Sequence, residues 1–136
     1  GMKIPIVVCE RVINPLFLEA AGPAAGGGVA TSPYNPKDPN PKYQEFAKKY
    51  HALYGEDPDT YAAHSYDGTW MIIEAIQKAG LNRYRIRDQL AEMNHWKGVT
   101  GEVDYDQVYT NRRPVCVATV QNGRFVYGIP KMDRLF

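Results

Sequence analysis

Serine, cysteine and histidine are scarce in this chain, and each scarcity removes a class of chemistry. Ser32 and Ser65 are its only serines. Neither lies in a G-x-S-x-G turn and no histidine is arranged beside either, so a serine hydrolase mechanism has no starting point. The two cysteines, Cys9 and Cys116, show no C-x-x-C or Cys/His spacing, and each lies in an apolar, strand-like run that reads as core packing. A disulfide between them would suit an oxidising compartment, but two cysteines so far apart in sequence do not establish one. His51, His64 and His95 are widely spread without H-x-x-x-H or H-x-x-E-H spacing. They read as hydrogen-bonded or exposed histidines, and the sequence offers neither a metal nor a cofactor site.

Charge of one sign is lacking too. With 16 Lys+Arg against 15 Asp+Glu the formal charge is +1, so no summed field draws in nucleic acid or an anionic membrane. The only apolar amino-terminal run, Ile4 to Cys9, falls far short of the roughly 20 residues of a transmembrane helix, and it has no basic lead-in or cleavage site of signal-peptide type. The chain as written is therefore expected to carry no export signal, and Gly1 before Met2 resembles the remnant of a cleaved tag. At 136 residues and 44% hydrophobic, length and composition fit one globular domain.

The run Ile4 to Cys9 is short, β-branched and apolar on both alternating faces, and predicts a buried strand. Asn14-Pro15 then opens a short helix through Leu16, Phe17, Leu18 and Ala21, closed by Gly22-Pro23. Gly26 to Gly28 precede a second strand at Val29-Ala30-Thr31. They lack G-x-x-x-x-G-K-[ST] spacing and no helix follows directly, so a phosphate loop is not indicated. Pro33, Pro36, Pro39 and Pro41 keep the next stretch extended as a crossing segment.

Three further helices follow. Asn40-Pro41 starts one with Tyr43, Phe46, Ala47, Tyr50 and Leu53 at helical spacing, stopped by Gly55. Asp59 or Thr60 caps the next, which is so apolar from Ala62 to Ile76 that it is expected to be the central core helix. Asn82 caps the third, with Ile86, Leu90 and Met93 on one face and Arg83, Arg85 and Arg87 on a solvated face. The end of the chain turns to β structure: Val115 to Val120 is apolar and β-branched, and Asn122-Gly123 before Phe125-Val126-Tyr127 is a strong hairpin signal. The class is α/β with an antiparallel addition.

Few residues suggest a site. Asp57/Asp59 flank Pro58 at a helix entry and Asp104/Asp106 lie in a turn region, so capping and turn chemistry account for both pairs. Glu10 differs, because it directly follows the first strand, and ligands of open α/β sheets bind outside the carboxyl ends of strands. On residues alone a solvated strand-end glutamate remains open for Glu10, as does an ordinary packed aromatic for Tyr61 at the start of the long apolar helix.

The order of strand, proline-spaced crossing, lysine-rich helix and apolar helix across Gly28 to Gly80 resembles the late part of a periplasmic solute-binding receptor of the Leu/Ile/Val type, the amino-acid-binding component of ABC importers. The segment ERVINPLFLEAAG, from Glu10 to Gly22, is similar to that family as well, and the likeness extends from about Ile4 to Tyr127. It covers only the carboxyl-terminal portion of receptors more than twice as long.

The resemblance implies part of a type I periplasmic-binding-protein fold: a strand-helix-strand start, three helices and an antiparallel hairpin. It divides the chain into 1–36 in one lobe, 37–120 as the helical segment and strands of the other, and 121–136 as a return strand and tail. It implies that Glu10 accepts a ligand's α-ammonium group, that Tyr61 contacts the ligand from the other lobe, and that the first lobe's carboxylate clamp has no counterpart here. The segment after Gly98-Val99-Thr100-Gly101, Asp104 to Asn111, contains no glycine where the family usually has a D-x-x-G-D run.

Two roles follow from the resemblance. One is a binding module for an amino acid or small carboxylate, periplasmic, working with ABC-importer membrane subunits once the first lobe is supplied. The other is a relative that has lost its ligand and persists as a homo-oligomeric structural protein. An enzyme ranks behind both.

Overall fold

The computed structural model describes residues 6–113 and 115–128. Ile4 and Pro5 of the expected first strand, Pro114, and the tail 129–136 lie outside the described residues. Where length and composition gave a single domain, the chain divides into two compact units: residues 1–37 with 114–136, and Asp38–Arg113. The chain leaves the first unit at Lys37 and returns to it after Arg113, so neither unit has the residues of an average domain for its own core.

The first unit is built on a four-stranded sheet. Strand β1 is Val7–Val8, β2 is Val29–Ser32, β5 is Cys116–Gln121 and β6 is Arg124–Gly128, in the spatial order β1-β2-β5-β6. β1 and β2 run parallel, with Val7 opposite Val29, and are joined through helix α1, Pro15–Ala21. A parallel pair needs such a crossover. β2 pairs antiparallel with β5, Ala30 opposite Ala118, and β5 with β6, Ala118 opposite Tyr127. The expected hairpin turn is present, with Asn122 and Gly123 both left-handed at φ 50° and 70°, the backbone that a two-residue turn of this hand requires. Ala30, Ala118 and Val120 are buried at the sheet's centre.

The expected start of α1 is also present: the Asn14 side chain accepts the Phe17 amide at 2.9 Å, with Pro15 in the first turn. The three glycines do no phosphate binding with their amides, which bond instead to the carbonyls of Pro23, Val120 and Ala25. Two expectations fail here. The first strand is a sheet edge among the described residues, with Ile6 and Val7 exposed, and Cys9 is exposed rather than core. The reason is shared: among the described residues β1 pairs with β2 alone, and no described strand lies along its other side. Cys116 is half-buried in β5, and the two cysteines do not form a disulfide with each other.

The second unit is mostly helical. Helix α2 is Pro41–Tyr54, α3 is Thr60–Ala79, α4 is Arg83–Ala91, and a short hairpin joins β3, Trp96–Gly98, to β4, Gly101–Val103. Each helix begins at its expected cap: Asn40 accepts the Lys42 amide, Asp59 the Ala62 amide, and Asn82 the amides of Tyr84 and Arg85. Gly55 ends α2 in the left-handed region at φ 76°. Met71, Met93 and Val103 form the buried cluster, with Leu90, Trp96 and Tyr105 against it.

The expectation that α3 is a central core helix is not met. Its buried residues are Ala63, Asp67, Met71 and Ala75, one narrow face at helical spacing. Tyr66, Trp70, Ile72 and Ile73 are exposed. The only sheet among the unit's described residues is the two-stranded hairpin, too small to cover both sides of a 20-residue helix.

Candidate functional site

Glu10 opens a single 3₁₀ turn, Glu10–Val12, directly beyond the carboxyl end of β1. Its backbone carbonyl accepts the Ile13 amide at 2.9 Å, closing the turn before α1. The residue is half-buried, so its carboxylate has its backbone fixed by the turn while remaining accessible. This is the position beyond a parallel strand pair where open α/β sheets bind ligands.

Tyr61 lies in the second unit, in the first turn of α3, and is 57% exposed. The turn that carries it is held by a polar network that the sequence did not reveal. Asp67, one and a half turns further along α3, is only 4% exposed. Its carboxylate accepts the Val99 amide at 2.7 Å, the Thr100 amide at 2.9 Å and the Thr100 hydroxyl at 2.6 Å. Gly98 precedes this turn because a Cβ there would collide with the Asp67 carboxylate and the Trp96 ring.

Arg113 extends the network. Its Nη1 donates to the Thr100 carbonyl at 2.7 Å and to the Thr100 hydroxyl oxygen at 2.8 Å, and its Nη2 donates to Nε2 of His64 at 2.6 Å. An imidazole nitrogen that accepts from a guanidinium carries no proton, so Nδ1 bears it and donates to the Thr60 carbonyl at 2.7 Å. The chain Thr60, His64, Arg113, Thr100, Asp67 thus ties the start of α3 to the β3–β4 turn and fixes the backbone that carries Tyr61. The sequence signal for it was Asp67 itself, in register with Ala63, Met71 and Ala75 on the buried face of an otherwise apolar helix.

His51, His95, Asp104 and Asp106 are each engaged in local contacts. His51 pairs with Asp57 at 3.0 Å and His95 with Glu102 at 2.6 Å. The hydrogen bond that the ring donates to Glu102, then the field of Asp104, hold the His95 imidazole above its usual range. Asp106 accepts the amides of Val108 and Thr110, and Asp104 pairs with Arg112 at 2.9 Å. In that glycine-free turn Tyr109 itself takes the left-handed conformation, at φ 61°. Among the described residues no group of three or more His, Cys, Asp or Glu side chains could hold a metal ion, and no helix is long and apolar enough to cross a membrane.

A family model described as periplasmic binding protein matches residues 3–124. Among solved structures, the chain is similar to a leucine-binding protein from Thermotoga maritima, at 27% identity and TM-score 0.83 over 98% of this chain and 39% of that one. It is similar to an ABC transporter substrate-binding protein from Desulfitobacterium hafniense in complex with Leu, at 27% identity and TM-score 0.77 over 93% of this chain and 36% of that one. A third is the branched-chain amino acid transporter substrate-binding protein of Streptococcus pneumoniae in complex with isoleucine, at 26% identity and TM-score 0.76 over 94% of this chain and 38% of that one. This chain therefore spans about two fifths of the length of these proteins. No curated protein matches it.

Proposed function

Because the chain belongs to the periplasmic binding protein family, which matches it from residue 3 to 124, we propose that it is part of the ligand-binding component of an ABC-type importer. Its substrate class is an amino acid, branched-chain above all, or a related small carboxylate. Its place of work is the periplasm, its partners are the importer's membrane subunits, and its role is binding rather than catalysis. The observation that carries this reading is that more than nine tenths of the chain follows the fold of receptors whose structures hold leucine and isoleucine.

In this reading Glu10 receives the ligand's α-ammonium group, and Tyr61 offers its ring to the ligand. A carboxylate hydrogen-bonded to an ammonium is a strong pair once water is excluded, which explains a glutamate placed at a strand end rather than in a helix. The rest of the receptor supplies the groups for the ligand carboxylate, so the chain by itself retains one exposed charge partner, worth about 0–1 kcal/mol.

The test is calorimetry on the Thermotoga maritima leucine-binding protein with its matching portion replaced by this chain. The expected result is leucine binding in the micromolar range, about −8 kcal/mol. A folded graft that takes up neither leucine, isoleucine nor valine overturns the reading.

A second reading, an oligomeric protein without ligand, draws on the open β1 edge and the exposed face of α3. It requires the chain alone to scatter light as a dimer or larger at all dilutions, and a monomer mass removes it.

A further inference from the structure

Two residues of the helical unit cost the fold stability without packing to account for them, and both line one groove. Gly68 lies inside the 20-residue helix α3, where glycine is a poor helix former, yet a Cβ added there would meet nothing within 4 Å. No close approach demands it. Tyr109 holds a left-handed backbone that glycine adopts at little cost, and its ring is 68% exposed. The turn imposes that conformation: the Asp106 carboxylate accepts the amides of Val108 and Thr110, and the Asp106 carbonyl accepts that of Tyr109. Locally unfavourable choices that no contact explains cluster at functional sites.

The groove measures about 710 Å³, within the range of small-molecule sites. Met71 of α3 and Leu90 and Ala91 of α4 line it with apolar surface, and the missing side chain of Gly68 leaves space beside them. Tyr105 is half-buried against the core cluster that holds Met71, so its ring is fixed by packing, whereas Tyr109 is fixed by its turn. Arg87 and Asp88 are the charged residues among the lining, and they neutralise each other, with Arg87 Nε donating to Asp88 Oδ1 at 2.9 Å. Two phenol rings and a thioether favour an aromatic occupant through ring–ring and sulfur–ring contacts. With no unpaired charge to meet it, an ion would be desolvated at a loss.

We propose that the groove between α3, α4 and the Asp104 to Asn111 turn is a second ligand site, lined by neither Glu10 nor Tyr61, for a small uncharged aromatic molecule. Gly68 leaves the room for it, and Tyr109 supplies a ring to pack on it.

The experiment titrates indole, an uncharged aromatic probe, into the isotope-labelled chain and follows the backbone amides by NMR. Saturable shifts centred on Gly68, Ala91 and Tyr109 are expected. G68L, which places a branched side chain in the groove, abolishes them, and Y109G weakens indole binding by about tenfold. Neither variant melts below wild type, because each replaces a residue that costs the backbone stability. Y109F keeps the ring and retains binding. Indoleacetate, the same ring with a carboxylate, binds more weakly than indole.

A wild-type chain that shows no shifts with indole overturns the proposal, as do equal affinities in wild type, G68L and Y109G, or shifts confined to α2. Indoleacetate binding as tightly as indole overturns the ligand class. A fall in Tm in both variants overturns the site, since the two residues then hold the fold. Groove resonances that move on dilution without indole overturn it too, because a second copy then occupies the groove. No amino acid enters the test, so its outcome is independent of the importer reading.

Discussion

Asp67 holds Thr100 twice, its Oδ2 accepting the amide at 2.9 Å and the hydroxyl at 2.6 Å from a residue 33 positions away. With the Val99 amide on Oδ1, one buried side chain satisfies three donors of the β3–β4 turn. That turn is also where Arg113 attaches, so the contact organises much of the helical unit.

Removing the carboxylate leaves those donors buried and unpaired. D67A is expected to cost about 3 kcal/mol or more, because each orphaned buried donor costs about 1–3 kcal/mol. D67N keeps one accepting oxygen but presents an amide nitrogen to the others, so it should fall between wild type and D67A. Urea denaturation of the three proteins checks the order, and a D67A midpoint equal to that of wild type removes the network from the account.

Much of the fold was legible because its signals are local. Asn14, Asn40, Asp59 and Asn82 each cap a helix within three residues of themselves, and Asn122-Gly123 sets its own turn; both kinds of signal act over the distance at which sequence can be read. The Asp67 network was not legible, since its partners lie more than 30 residues away and only folding brings them together. The expected burial of α3 failed for the complementary reason: its apolar pattern describes a helix with cover on both sides, and the described residues supply cover on one. Glu10 and Tyr61 were singled out by the resemblance to the receptor family, Glu10 with support from the strand it follows, while local pattern alone left them open as a solvated glutamate and a packed aromatic.

Tyr109 stands in the left-handed region at φ 61° in the turn from Asp104 to Asn111, a conformation that costs a non-glycine residue about 1–2 kcal/mol. Its ring is largely exposed, so little packing offsets the cost. Y109G is expected to stabilise the protein by about 0.5–1 kcal/mol after the greater flexibility of glycine in the unfolded chain is subtracted. Thermal melting checks it, and a clear fall in Tm means the Tyr109 ring contributes more than its exposure indicates.

His95 gives the fold a pH dependence of known sign. Its folded imidazole is held above the usual 6.5, chiefly by the hydrogen bond it donates to the Glu102 carboxylate. A group whose folded pKa is raised stabilises fully below its unfolded value and loses that contribution as pH rises through the folded value. The His95–Glu102 pair is therefore expected to stabilise at pH below about 6.5 and to fade above it. NMR titration should place the His95 midpoint above that ordinary value, and E102Q should lower it. A His95 midpoint unmoved by E102Q would show that another group governs it.

The central claim is that Glu10 is the ammonium acceptor this segment brings to an amino-acid receptor. It is tested most directly by titrating leucine into the graft carrying either wild-type Glu10 or E10Q, which keeps the side chain's size and removes its charge. The account predicts that E10Q weakens leucine binding by about 1.5–3 kcal/mol, about 10- to 150-fold, with the melting temperature unchanged because a strand-end carboxylate is not core. Equal leucine affinity for wild type and E10Q contradicts it, and moves the ligand class to small carboxylates that have no amino group.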